Sequence, residues 1–346
     1  MPLLSSTKRS LELSEARISP GAAALQSKRV ARAATITLGY TIFVILFGAI
    51  VRITRSGAGC GQHWPTCNGE IAPLPRRLET LIEFTHRVTS AGSLIAVLTF
   101  AAIAIRNVPS GHRLRKTAYA AVLLMLVEAL IGAALVLFRL VADDASKARA
   151  FVMPAHLLST FALVAVLTLG ALWSKTPLPA APLPRELGPG GWLVLGGVAL
   201  VVAALTGAIT ALGDTLYPPV AASLAGRLHE DHGVHANFLQ RLRVLHPVLA
   251  VGTAAFVAHL AAAYGSVGPG ARRASRAVLV FAGLQLVAGT LNVLLSAPGW
   301  LQVVHLGLGL GLWISFVALA GSVNEARASR AAAPASAPRG TAAPAA

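Results

Sequence analysis

Four of the ten histidines lie where they could bind a metal inside a membrane. His86, His156, His246 and His305 each stand within the first two turns of a long apolar run. All four runs are predicted to cross the membrane in the same direction. The four imidazoles should therefore lie at a similar depth, roughly one helical turn below the outer surface. Ionisable side chains at such a depth are energetically costly and are usually functional.

The residues alone leave two interpretations of these histidines open. They could be packing residues that hydrogen-bond to neighbouring helices, or they could form two pairs of iron ligands. Two neutral imidazoles on opposite helices suit the two axial positions of a haem iron, whereas a tetrahedral zinc site would need more ligands in each pair. Apart from Glu83, we expect no carboxylate or thiol at this depth. The small residues that would leave room for a flat macrocycle are Gly92, Ser93, Gly132, Gly307, Gly309 and Gly311.

Charged residues accompany the histidines near the outer surface. Glu83 stands three positions before His86, so both side chains project to the same face of a helix. Glu83 could accept a proton beside the iron ligand, or it could only complement the helix dipole or pair with Arg87. Arg87, Arg241 and Arg243 are predicted at the outer rim, where they could pair with haem propionates or with lipid phosphates.

The only two cysteines, Cys60 and Cys67, lie together in the first outer loop, in the segment GAGCGQHWPTCNGE. The outer side of a membrane permits disulfides, and the short spacing could close a small ring. Such a pair could be a structural staple of the loop. It could equally be a redox-active pair that relays electrons.

The helices that must position these residues are predicted from composition. The chain is 55% hydrophobic and 12% charged, with a mean hydropathy of +0.69, and that charge is about half the usual content of a soluble domain. Its eight apolar runs can each cross a hydrocarbon core of ~30 Å, and they lack the alternation of a β-barrel. The sequence therefore predicts an all-α integral membrane protein with spans near 34–53, 82–105, 117–138, 151–173, 191–212, 240–263, 276–295 and 300–321.

The distribution of charge predicts the orientation. The net charge is +16, and 18 of the 29 basic residues fall on the side of the two termini, whereas 9 of the 13 acidic residues fall on the other side or in helix ends that face it. This positive-inside pattern places both termini in the cytoplasm of a cell-membrane protein. The basic residues would contact anionic lipid headgroups. No basic, aromatic soluble module is present to bind nucleic acid.

The chain also contains an internal repeat. Gly48-Ala-Ile recurs as Gly207-Ala-Ile, at an offset of 159, and the segment from Glu128 to Gly132 recurs from Gln285 to Gly289, at an offset of 157. The histidines follow the same order, which indicates two pseudo-symmetric four-helix bundles of one orientation. The predicted divisions are a cytoplasmic tail (1–33), an N-terminal half (34–175), a cytoplasmic linker (176–190), a C-terminal half (191–322) and a disordered cytoplasmic tail (323–346).

Two adjacent motifs make a family resemblance specific. The glycine- and cysteine-rich loop from Gly57 to Glu70, followed by Glu83-Phe-Thr-His86-Arg87, resembles the haem A synthase family. Together with the duplication and the histidines, the resemblance extends from the first span to about residue 321. It implies oxidation of a ring methyl group of haem O to a formyl group, which gives haem A for terminal oxidases.

The resemblance also implies roles for the histidines and for partners. The N-terminal half would receive the substrate haem O between His86 and His156. The C-terminal half would hold a haem b cofactor between His246 and His305. Haem O synthase, which supplies the substrate, is the implied protein partner, and the sequence does not identify the electron donor.

The chain departs from the family pattern at two places. Many relatives carry a second cysteine pair after the fifth span, but residues 213–219 read GDTLYPP, without cysteine. His246 is followed by Pro247, where His86 is followed by Arg87, and we expect this proline to bend its helix. The repeat partner of Glu83 is Arg243, so the two halves should differ in chemistry, one catalytic and one an electron carrier.

Two other functions remain compatible with parts of the sequence. A bis-histidine membrane cytochrome b that only carries electrons would explain the histidines, but not Glu83 or the cysteine loop. A four-helix-type thiol-redox membrane protein would explain Cys60 and Cys67, but not the histidines. The pigment bound by the protein separates all three functions.

Overall fold

The computed structural model describes residues 20–74, 77–175, 190–221 and 223–332 of the chain. This described part is mostly helical and contains no β-strand, only an isolated bridge between Cys67 and Glu70. The helices are α1 (Pro20–Ile53), α2 (Leu78–Asn107), α3 (Arg113–Leu137), α4 (Lys147–Trp173), α5 (Gly190–Leu216), α6 (Leu224–His232), α7 (Phe238–Arg241), α8 (Leu245–Tyr264), α9 (Pro269–Leu294) and α10 (Gly299–Ala332).

Eight candidate membrane spans lie in this described part, as predicted. Seven are formed by α1–α5, α9 and α10, and the remaining one, Phe238–Tyr264, combines α7 with α8. Large apolar side chains such as Ile95, Leu123 and Val194 point outward from these helices and are mostly exposed. An outward apolar surface is what a lipid solvent requires, because lipid tails replace water around the bundle. The chain is therefore an all-α, multi-pass membrane protein.

Two helices extend beyond the predicted spans. Helix α1 begins at Pro20, inside the expected N-terminal tail, and α10 continues to Ala332, so the expectation of disorder from residue 323 was wrong for residues 323–332. Alanine and arginine are strong helix formers, which favours this extension. Glu325 on α10 also forms an ion pair with Arg113 at 2.6 Å. The predicted linker 176–190, except Gly190, and residues 333–346 lie outside the described residues.

The sixth span is interrupted rather than bent. Asn237 caps the short helix α7, a turn follows at residues 242–244, and α8 then begins at Leu245. Pro247 is the third residue of α8. A proline in the first helical turn removes an N–H that has no partner within the helix anyway. The expected bend at Pro247 is thus replaced by a break before His246.

Both halves arrange their spans as a closed ring of four helices. In the first half α1 contacts α2, α2 contacts α3, α3 contacts α4, and α4 returns to α1. In the second half α5, α8, α9 and α10 follow the same cyclic order. The histidine-bearing helices are therefore diagonal to each other in each ring, α2 to α4 and α8 to α10. A side chain on one diagonal helix can reach its counterpart only through the centre of the ring.

The two rings are joined along α1, α4, α5 and α10. Arg52, in the last turn of α1, donates hydrogen bonds to the Ala211 carbonyl (2.7 Å) and the Thr215 hydroxyl (2.6 Å) of α5, and to Gln302 Oε1 (2.9 Å) of α10. The Trp313 indole N–H donates to the Phe161 carbonyl at 2.8 Å. These polar contacts between the halves supplement an apolar core that α4 shares with the second ring.

Candidate haem sites

Each of the four histidines packs against a glycine on a neighbouring helix of its ring. A Cβ atom added to Gly48 would lie 3.1 Å from Cε1 of His86, and one added to Gly132 would lie 4.0 Å from Cε1 of His156. In the second half, the corresponding distances are 2.9 Å from Gly207 to His246 and 3.2 Å from Gly289 to His305. The two glycine pairs are the landmarks of the internal repeat, so the repeat preserves four histidine–glycine contacts.

These glycines set the position of the imidazoles. A normal carbon–carbon contact is about 3.5–4.0 Å, so three of the four imidazoles lie closer to the neighbouring helix than an alanine there would allow. Each imidazole therefore lies close to helix backbone, and side chains of the same neighbouring helices also contact it, such as Phe47 beside His86 and Glu128 beside His156.

The two imidazoles of the second half lie at a separation suited to one metal. The ring centroids of His246 and His305 are 6.2 Å apart, with the ring planes at 84°. Imidazole nitrogens bind metals at about 2 Å, and a ring centre lies about 1 Å behind its nitrogen, so two imidazoles on opposite sides of one metal place their centroids about 6 Å apart. The observed separation matches two axial ligands of a single iron.

The contacts of the Nδ1 atoms show which ring nitrogen of each imidazole remains for a ligand. His246 Nδ1 lies 3.0 Å from the Ala203 carbonyl and 3.3 Å from the Thr206 hydroxyl. A proton on Nδ1 leaves the lone pair of Nε2 for a metal, as is usual for metal-binding histidines. The Nδ1 atoms of His86, His156 and His305 are buried and have no partner in hydrogen-bonding geometry in the described part of the chain. Buried polar atoms without a partner are rare in proteins.

The first half contains a carboxylate that the sequence analysis missed. Glu128 Oε2 on α3 lies 2.8 Å from Nδ1 of His156 on α4, and the Ser159 hydroxyl donates to Glu128 Oε1. The expectation that Glu83 is the only carboxylate at the depth of the histidines was therefore wrong. A glutamate inside an apolar span was the signal, because such residues usually mark functional sites.

The first outer loop is fastened to the start of α2. Cys60 and Cys67 form a disulfide, and both cysteines are fully buried. Glu83, also buried, accepts a hydrogen bond from the Cys60 backbone N–H at 2.7 Å and forms an ion pair with Arg87. Arg87 in turn donates to the carbonyls of His63 and Thr66. Glu83 thus connects the disulfide loop to the helix that carries His86.

Gly59 makes this fastening possible by a direct backbone contact. A Cβ atom at this position would lie 2.4 Å from the backbone of Glu79, which no conformational adjustment of a side chain could relieve. The Thr80 hydroxyl donates to the Gly59 carbonyl at 2.7 Å. The loop therefore lies directly on the first turn of α2.

The arginines of the second half occupy different environments. Arg243 is buried, and it pairs with Asp214 (2.9 Å) and Asp231 (2.8 Å) and donates to the carbonyls of Gly213 and Tyr217. Burial raises the pKa of Asp231, an effect that the charge of Arg243 opposes. Arg243 therefore fastens the outer loop of its half, as Glu83 does in the first half, and its guanidinium is occupied by protein partners. Arg241 is exposed.

His86 and His156 lie slightly deeper in their helices than predicted, because these helices begin earlier. His86 is the ninth residue of α2 and His156 the tenth of α4, whereas His305 is the seventh of α10. Some glycines expected beside the macrocycle serve other contacts. Gly92 packs against the Tyr40 hydroxyl and Gly311 against the Phe281 ring.

The donor set fits haem better than a free metal ion. Within the described residues, no group of three or more His, Cys, Asp or Glu side chains could hold a metal ion. Each ring supplies paired imidazoles on diagonal helices, and a porphyrin supplies the remaining four iron ligands itself. The residues present therefore fit one bis-histidine haem in each half.

The chain matches known proteins over most of its length. The model of the cytochrome oxidase assembly protein family matches residues 31–77 and 76–317. A Thermus thermophilus protein named protohaem IX farnesyltransferase is 44% identical over 293 residues, which are 84% of this chain and 48% of that protein. The chain thus spans about half the length of that relative.

Shorter stretches match proteins named haem A synthase. One from Staphylococcus epidermidis is 41% identical over 97 residues, covering 28% of this chain and 32% of its own length. One from Bacillus licheniformis is 39% identical over 134 residues, covering 37% of this chain and 40% of its own length. The family model covers far more than half of the sequence, including all four histidines and both cysteines. The chain belongs to the cytochrome oxidase assembly protein family.

Proposed function

We propose that this protein is a haem A synthase, which oxidises a ring methyl group of haem O stepwise to a formyl group. The observation that carries the proposal is the paired set of diagonal imidazoles, one pair in each ring, each imidazole lying against a repeat-conserved glycine. The names of the relatives from Staphylococcus epidermidis and Bacillus licheniformis support the same activity.

The two halves have different tasks in this proposal. The N-terminal half, residues 34–175, binds the substrate haem O between His86 and His156. The C-terminal half, residues 191–322, binds haem b as the resident cofactor between His246 and His305. When bound, haem b supplies one-electron transfer. The different residues at the repeat-related positions 83 and 243, a carboxylate and a guanidinium, support a division of labour.

Glu83 is the candidate catalytic residue of the first half. Methyl oxidation releases protons, and Glu83 stands one helical turn before His86 on the same face of α2. Its contacts with the Cys60 N–H and with Arg87 hold the carboxylate in a fixed position. In this role Glu83 accepts a proton released at the substrate while Arg87 and the loop exclude water around it.

The outer rim and the disulfide have supporting roles. Arg87 and Arg241 are the proposed partners of the haem propionates, whereas the ion pairs of Arg243 remove it from this group. The complete burial of Cys60 and Cys67 favours a structural staple over a redox relay, because thiol exchange requires access to the sulfur atoms.

The protein is proposed to lie in the cell membrane with both termini in the cytoplasm. Basic residues concentrated in the inner loops and tails support this orientation, and they would contact anionic headgroups. Reporter fusions test it. A reporter at Arg115, in the loop 107–116, should be active only as a cytoplasmic fusion, whereas fusions within 56–80 or 214–238 should report the outer side. A reporter at Arg115 that is active outside would overturn the orientation.

Haem O synthase is the proposed partner that supplies the substrate. The relative from Thermus thermophilus is named for the farnesylation of protohaem IX, which supports a functional connection between that reaction and this family.

Pigment analysis tests the proposed activity directly. The protein is expressed in a host that makes haem O but no haem A, and haems are extracted and separated by chromatography. Accumulation of a formyl-bearing haem, which is absent in a His156→Ala control, supports haem A synthase. Bound haem b without any formyl product would indicate an electron-carrying cytochrome instead. Purified protein without haem absorbance would contradict both and favour thiol-redox chemistry.

A further inference from the structure

The repeat places a different polar side chain beside one histidine in each half. Glu128 on α3 and Gln285 on α9 are repeat-related, at an offset of 157. Glu128 Oε2 lies 2.8 Å from His156 Nδ1, and Gln285 Nε2 lies 3.2 Å from His305 Nε2. The fourth helix of each ring therefore presents its histidine to the same position on the third helix. That position holds a carboxylate in the first half and a neutral amide in the second.

Glu128 is held in place by a second contact. The Ser159 hydroxyl, one turn after His156 on α4, donates to Glu128 Oε1. Glu128 is buried, and a buried carboxylate is costly unless hydrogen-bond donors compensate for its lost hydration. Here Ser159 donates to one oxygen, and the other oxygen lies 2.8 Å from Nδ1 of His156. The second half lacks this arrangement altogether, because the residue that corresponds to Ser159 is Leu308, at the histidine offset of 149.

We propose that Glu128 is a positioning residue that orients His156 and makes it a stronger iron ligand than His305. This inference rests on the proposed function, since it concerns the histidine that would bind the substrate haem. A carboxylate that accepts the Nδ1 proton fixes the tautomer, directs Nε2 to the iron and raises the basicity of the imidazole. A more basic axial ligand stabilises the oxidised iron, so the iron in the first half has the lower reduction potential.

Because of this difference, the two haems would have different reduction potentials although the two four-helix rings are similar. Gln285 contacts His305 at Nε2 rather than at Nδ1, and its amide carries no charge, so it raises the basicity of the ring much less. The haem of the second half is therefore easier to reduce.

A purely structural role for Glu128 makes a different prediction. If the carboxylate only joins α3 to α4 through Ser159, a glutamine at position 128 would keep that hydrogen bond and leave the iron unaffected. Stability and haem content therefore do not separate the two roles. The reduction potential of the haem in the first half does, because it responds to the charge on the partner of His156.

A redox titration of the full-length protein, purified in detergent and loaded with haem O and haem b, tests the inference. Glu128→Gln should make the haem of the first half at least ten-fold easier to reduce, a shift of about 59 mV upward for one electron. The haem of the second half should titrate as in the wild type. Glu79→Gln, a change of a half-exposed carboxylate in the first turn of α2, is the matched control and should shift neither haem.

The reciprocal variant keeps the test decisive if Glu128→Gln fails to fold or to bind haem. Gln285→Glu should lower the potential of the haem in the second half by a comparable factor, and this measurement needs only that half. Shifts in these directions support the inference, and unchanged potentials in the variants that bind haem overturn it. Wild-type protein that binds both haems but makes no haem A would refute the proposed function, while the same titrations would still decide the role of Glu128.

Discussion

The contact between Gly207 and His246 allows a prediction with a calculable size. In Gly207→Ala the new Cβ would lie 2.9 Å from His246 Cε1, 3.2 Å from Nδ1 and 3.3 Å from Nε2. Since carbon atoms pack at about 3.5–4.0 Å, the imidazole must retreat by about 0.6–1 Å. That movement strains the 3.0 Å contact of Nδ1 with the Ala203 carbonyl and displaces Nε2 from its position for the iron.

The expected effect follows from the usual cost of overpacking. An added methyl group in a packed site costs about 1–3 kcal/mol, which corresponds to roughly 5- to 140-fold weaker retention of haem b. Haem absorbance per protein, measured during dialysis against apomyoglobin as a haem acceptor, gives the relative dissociation. Gly252 lies in α8, the helix that carries His246, with nothing within 4 Å of an added Cβ atom, so Gly252→Ala controls for the helix preference of alanine.

The four glycines provide a graded series for the same assay. The distances predict the largest loss for Gly207→Ala, intermediate losses for Gly48→Ala and Gly289→Ala, and almost none for Gly132→Ala, whose Cβ would lie at an ordinary 4.0 Å. The first-half variants are scored on haem O and the second-half variants on haem b. If Gly207→Ala retained haem as well as Gly252→Ala, the glycines would not set the histidine positions.

Four further variants test the division of labour and the first loop. His246→Ala should lose low-spin haem b, because one imidazole cannot fill two axial positions. His156→Ala should keep the absorbance of haem b and abolish haem A formation. Equal loss of haem b from both variants would contradict the assignment. Cys60→Ser should insert normally, remove about 2–3 kcal/mol of loop constraint and lower the haem A yield modestly. Complete inactivation of that folded variant, with its partner cysteine replaceable at little loss, would indicate a reactive thiol. Glu83→Gln should insert into the membrane and bind haem, but its reaction should stop at haem O or a partly oxidised product. Glu79→Gln is the neutral control. A normal rate of haem A formation in Glu83→Gln would mean that Glu83 only holds the loop in place.

Hydropathy was sufficient to predict the eight spans, because the exclusion of charge from a hydrocarbon core is a property of each segment by itself. The repeat was also visible in the sequence, through Gly48 and Gly207. Their role was not, because a contact between a glycine and a histidine depends on the rotation of two helices about their axes. No local pattern encodes that rotation, which the packing of the whole ring determines.

The same limitation explains the errors. Glu128 was recognised as part of a repeat but not as a neighbour of His156, because the two residues lie on different helices. Arg243 was placed at the rim by its position in the sequence, whereas the fold of the outer loop buries it between Asp214 and Asp231. The helical end of α10 was missed because its composition resembles a flexible tail, while Glu325 gains a partner in Arg113 only after folding.

The hydrogen bond between Arg52 and the Ala211 carbonyl has a consequence for how the duplicated chain arose. The two residues are 159 positions apart, which is the offset between Gly48 and Gly207, so each is the repeat counterpart of the other. Two equivalent positions that can contact each other through one side chain lie close to the rotation axis that relates the two halves. In a homodimer of identical half-length chains, this position would hold the same residue twice, and two facing arginines would repel each other. Covalent fusion of the two copies removes that restriction, so that one copy can supply a cation and the other only a carbonyl oxygen to receive it.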